Sequence, residues 1–234
     1  MTNIVTFVRR VTLFFQKNIN ATQENMTLMK SAFSGAQVGS AFRADDYELP
    51  KYVEGLPWVV MLKNQDLPIL IQFAGNKMDV VSQVNIEAED HEVIVAHKLR
   101  DTAFIAVDTL CINNVVRMAY APTIGIDNSP AIDEYFNQKI QLPIIEKLGV
   151  SDISLKMNTP VKVELAGKEV DTNRSIKIST GLKKENSSQD EIKCVIVELD
   201  INTKGENNEF SKEDITEFID KALPMRQPLI QSIL

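Results

Sequence analysis

The sequence predicts an α+β fold in which antiparallel sheet, in one or two pieces, is covered on one face by helices. Three observations carry it. Apolar residues alternate from Ile4 to Phe15, strand-like runs separated by turn-rich tripeptides fill residues 58–84, and the chain closes on a strand, a polar loop and a helix with its own start signal.

The first run places Val5, Phe7, Val11, Leu13 and Phe15 on one face and Thr6, Arg10 and Thr12 on the other, with Arg9 as the one interruption of the apolar face. Asn20 or Thr22 is placed to cap a following helix with the stripe Met26, Met29, Ala32, Phe33 and a stop at Gly35. Residues 36–56 read as an irregular surface connection. Runs 58–63, 68–73 and 77–84 form an antiparallel meander, because Asn64-Gln65-Asp66 and Ala74-Gly75-Asn76 are short turn sequences. Residues 88–110 favour a long helix with the stripe Val93, His97, Arg100, Phe104, Val107, Cys111, although short apolar pieces there also suit strand.

The order then repeats. Residues 114–121 predict a strand, and Ser129-Pro130 opens a helix over Ile132, Tyr135, Phe136 and Ile140 that breaks before Pro143 and resumes to Leu148. Strands follow at 153–164, 169–180 and 191–202, with a tight turn at Gly167-Lys168 and a polar loop over 181–190. In the last helix Ser211 and Asp214 have capping-box spacing, and Phe210 and Ile215 that of a hydrophobic staple. Ile215, Phe218, Ile219, Ala222 and Leu223 make its apolar face, and Pro224 is expected to end it. Both halves thus read β-α-β-β-β-α. A pseudo-duplicated unit is implied, divided into residues 1–110 and 111–234, either as two halves or as one continuous domain.

Composition narrows the function classes. At 234 residues with 44% hydrophobic and 24% charged residues, the chain can bury a sizeable core. A net charge of −7 with no basic run argues against a nucleic-acid partner, whose phosphates demand a basic surface. Arg9 and Arg10 fall inside the first apolar stretch, unlike a signal peptide, and no apolar run reaches the ~20 residues of a membrane helix. The expected location is the cytoplasm. Cys111 and Cys194 lie in apolar sequence and read as free buried thiols.

Chemistry is sparse. His91 and His97 miss the i, i+4 spacing that sets two ligands on one helical face. His91 reads as solvated near a helix start and His97 as a core or boundary residue. Glu87, Glu89 and Asp90 suit a helix's first turn. Glu198 and Asp200 alternate with Val197, Leu199 and Ile201, so both point away from the helix-packed core. Two such carboxylates suit a divalent metal, and they equally suit any outward strand face. The sequence carries no GxxxxGK[ST], GxGxxG, GxSxG, CxxC or HExxH motif, and no catalytic residue or cofactor is expected from it. Tyr47, Tyr52 and Trp58 cluster around the 36–56 segment, where they form either a recognition surface or a packed lid.

Arg117 and Tyr120 within VVRMAYAPTIGI, then Leu199-Asp200-Ile201-Asn202-Thr203 and a capped terminal helix, give the second half its most distinctive pattern. In this pattern the chain resembles a sporadically distributed family of uncharacterised bacterial proteins of similar length, from which Asn202 departs in place of a second acidic residue. That resemblance implies no enzyme activity. The leading expectation is a non-enzymatic interaction protein of bacterial or phage origin, in a setting of phage–host conflict, with a protein partner and homo-oligomers allowed. Strand-rich units closed by a helix also resemble the secretion-chaperone fold, which implies a holdase. A metal-dependent hydrolase or nuclease using Glu198 and Asp200 is the alternative from a different class.

Overall fold

In a computed structural model the structure describes residues 3–20, 22–34, 47–48, 57–62, 67–83, 89–127, 154–184, 191–205 and 208–233. The helix predicted over 130–148 and Tyr52 lie outside these. The strands are β1 (Asn3–Phe15), β2 (Tyr47–Glu48), β3 (Trp58–Leu62), β4 (Ile69–Ala74), β5 (Lys77–Ser82), β6 (Val115–Asp127), β7 (Ser154–Leu165), β8 (Lys168–Lys184) and β9 (Glu191–Thr203). The helices are α1 (Gln23–Ser34), α2 (Glu89–Thr109) and α3 (Lys212–Ile233).

All the strands join one antiparallel sheet in the order β2-β3-β4-β5-β1-β6-β9-β8-β7. Beyond the two-residue β2, the order is the same when read inward from either edge. A three-strand meander leads to a strand that preceded it in the chain, β3-β4-β5-β1 from one side and β7-β8-β9-β6 from the other. The two runs meet where β1 pairs with β6, so one sheet continues through both halves.

The helices cover one face. Strand residues Val11, Leu13, Tyr120 and Ile201 share a single core cluster with Met29 of α1, Leu99 of α2 and Phe218 of α3. The caps read from sequence are present. Thr22 Oγ1 accepts the Asn25 amide at 3.1 Å, and Ser211 and Asp214 exchange bonds of 2.8 and 3.2 Å. Ile215, Phe218, Ile219, Ala222 and Leu223 are all buried, as the stripe requires. The α3 side chains also tie the helix outward: Glu217 accepts the Ala166 amide at 2.6 Å, and Lys212 reaches Asp108 of α2.

Expectations about the elements need correction at four points. The helix does not stop at Pro224, because α3 continues through Pro224 and Pro228 to Ile233. Both prolines are exposed and one turn apart, while Leu223 and Arg226 on the opposite side are buried, so packing holds the helix where propensity would end it. The buried face of α2 is Glu92, Val95, Ala96, Leu99, Thr102, Ala103, Ala106 and Val107, with Phe104 packed at its edge and Val93 and Ile94 turned outward at 41% and 50% exposure. Polar residues inside and apolar residues outside displaced the predicted stripe at Val93. β8 extends to Lys184, so residues 181–184 are strand rather than loop. The β7–β8 turn is Ala166-Gly167, with φ of 47° and 76°, the two-residue form matched to strand twist.

Cys111 is exposed rather than buried. It ends α2 in the left-handed region at φ 51°. Its amide bonds Asp108 O at 3.1 Å and the Ile112 amide bonds Val107 O at 3.0 Å, the paired bonds of a Schellman cap, in which glycine is the favoured residue. Cys111→Gly is therefore expected to stabilise the fold by about 0.5–1 kcal/mol, seen as a higher urea midpoint at unchanged slope.

Candidate functional site

Among the described residues, the largest concentration of buried charge lies between the helix layer and the β1–β6 seam. Arg9 is fully buried, and it is the residue that interrupts the apolar face of β1. Its Nε donates to Glu92 Oε2 of α2 at 2.5 Å. The Tyr120 hydroxyl of β6 donates to Glu92 Oε1 at 2.6 Å, and Arg226 Nη1 of α3 lies 3.1 Å from the same oxygen. Two strands and two helices thus converge on one carboxylate that is 1% exposed.

Its chemistry follows from burial. A carboxylate withdrawn from water needs both charge and hydrogen bonds, and this one receives two guanidiniums and a phenol. Burial, then the Glu92 carboxylate, pushes the Tyr120 hydroxyl well above its ordinary pKa. The phenol is therefore neutral in the folded protein under conditions where an unfolded tyrosine, with a pKa of about 10, has begun to ionise. Above pH ~10 the unfolded state binds fewer protons than the folded one at this site, so stability falls as pH rises. Tyr120→Phe is expected to flatten that alkaline limb by up to about 1.4 kcal/mol per pH unit, measured by denaturation at pH 8–12.

Glu198 and Asp200 lie on the face away from the helices, as alternation predicts, with Glu198 opposite Lys177 and Asp200 opposite Ser175. Lys177 Nζ donates to Glu198 at 2.7 Å, and Asn202 Nδ2 donates to Asp200 at 3.1 Å. Their neighbours are an amine and an amide. Among the described residues no group of three or more His, Cys, Asp or Glu is placed to hold a metal ion.

Trp58 is 5% exposed, stacked on Phe73 with centroids 4.0 Å apart, and its Nε1 donates to Ile19 O at 3.4 Å. It belongs to the core. Tyr47 sits in β2, opposite Leu62. His91 is exposed, and His97 is a boundary residue, half-exposed and paired with Asp220 at 2.7 Å. Arg117 donates to Asn202 at 2.9 Å and stacks over Phe14, so the two distinctive motifs of the second half meet on neighbouring strands. Sequence reasoning missed Glu92 and Arg226. The signal for them was Arg9, since a guanidinium on an apolar face requires a buried carboxylate.

No protein-family model matches the chain, and no curated protein matches it. Among the described residues no helix is long and apolar enough to cross a membrane.

Proposed function

We propose that this chain is a non-enzymatic polypeptide-binding protein, a holdase built from two copies of one strand-rich unit. The observation behind it is the strand order. Each half contributes a first strand, a meander of three and a closing long helix, and the last strand of each meander returns beside its own first strand. Strand-rich units closed by a helix resemble the secretion-chaperone fold, and the strand order supports reading this chain as two such units joined through their first strands.

Such a body offers one partner a broad antiparallel surface with the described helices packed on its other face. On the face that none of the described helices covers, Met61 is 41% exposed, and Leu70 and Val81 beside it are half-buried. Apolar residues among polar ones suit contact with non-native segments of many sequences, because burial of apolar area is non-directional. The partner is a protein rather than a nucleic acid, in keeping with the net charge of −7. Size exclusion of the purified chain with a chemically unfolded client tests this. Co-elution is expected, and separate elution of client and protein at micromolar concentration would refute it.

A further inference from the structure

We infer that the end of α3, Pro224–Ile233, is a hinged arm latched onto the helix layer by Arg226. The hinge is built into the backbone. Pro224 and Pro228 lack amide hydrogens, so the carbonyls of Asp220 and Pro224 receive no i→i−4 bond from them. The ladder is weakened in two successive turns, and both prolines are exposed. The capped, apolar-faced part of the helix, from Ser211 to Leu223, has no such defect.

The latch lies between the two prolines. Arg226 is 6% exposed and reaches Glu92 Oε1 of α2 at 3.1 Å. Just before the hinge, the Asp220 carboxylate meets His97 Nε2 of α2 at 2.7 Å, which fixes the helix on the near side of Pro224. The arm therefore turns about a point tethered to α2, and beyond it the buried Arg226 guanidinium latches it to Glu92 while Met225 packs against the core. A cavity of about 250 Å³, lined by the exposed Val93 together with Asp220, Leu223, Pro224 and Arg226, lies at this junction. Swinging the arm away widens this cavity into an apolar groove between α2 and α3. The device stands whether or not the protein holds polypeptides, because its parts are all internal.

Amide hydrogen exchange on the full-length protein tests it. Residues 225–233 are expected to exchange ahead of residues 215–223 through an opening of their own. Arg226→Met should accelerate the arm by about tenfold while leaving residues 215–223 and the sheet unchanged, because Glu92 keeps Arg9 and Tyr120. Pro224→Ala combined with Pro228→Ala restores two amide donors and should slow the arm by about tenfold. Uniform exchange along α3, an Arg226→Met variant that loosens sheet and arm alike, or an arm indifferent to both sets of changes would each overturn the latch.

Discussion

Glu92→Gln is expected to destabilise the protein by about 3–5 kcal/mol, the cost of removing one partner from a buried ion pair. The substitution keeps the size of the side chain and removes its charge, so cavity formation does not enter. What it takes away is the negative charge and one of the two acceptor oxygens that serve Arg9, Tyr120 and Arg226, three groups drawn from β1, β6 and α3. The paired comparison is the triple change Arg9→Met, Glu92→Leu, Arg226→Met, which removes the charges together. A buried charge cluster is weak evidence for stability, and apolar replacement of such a cluster is often neutral or stabilising by about 1–4 kcal/mol. The triple variant should therefore recover most of the loss. Urea midpoints at constant slope decide it, and a Glu92→Gln variant within about 1 kcal/mol of the wild type would contradict this account of the cluster.

Trp58→Ala should cost about 3–5 kcal/mol, the range for truncating a large aromatic in a packed core. Loss of the stack on Phe73 adds about 0.5–1.5 kcal/mol within that range. A tryptophan serving a recognition surface would behave otherwise, giving a variant of near-normal stability. Trp58 is the sole tryptophan, so its own fluorescence follows unfolding in the wild type, and circular dichroism serves for the variant.

Local signals were legible wherever packing and propensity agree. β3, β4 and β5 fall within two residues of their predicted ends, because short turn sequences bound alternating apolar runs. The α1 and α3 caps were legible because side-chain oxygens at fixed spacing have few other uses. Where tertiary contacts overrule local preference, the reading failed. Glu92 and Thr102 are buried on α2 while Val93 and Ile94 are exposed, so the predicted stripe holds at Phe104 and Val107 and misses at Val93. Pro224 signals an end that buried Leu223 and Arg226 override, and Cys111 fills a cap position where glycine is favoured. The charge cluster was half legible. Arg9 announced itself by breaking alternation, but its carboxylate lies 83 residues away, a distance at which spacing carries no information.

The symmetric strand order was reachable in outline, since the repeated β-α-β-β-β-α order came from the sequence. The pairing of β1 with β6 was not, because the register of two such strands depends on the sheet that surrounds both. That seam makes one surface out of two halves, and the polypeptide-binding reading depends on it.

The most direct test of that reading is light scattering from an unfolded client diluted into buffer with the protein at a one-to-one ratio. Suppression of aggregation that saturates near stoichiometry, without any nucleotide or metal added, is the predicted result. Scattering that rises unchanged at stoichiometric and at excess protein would contradict it.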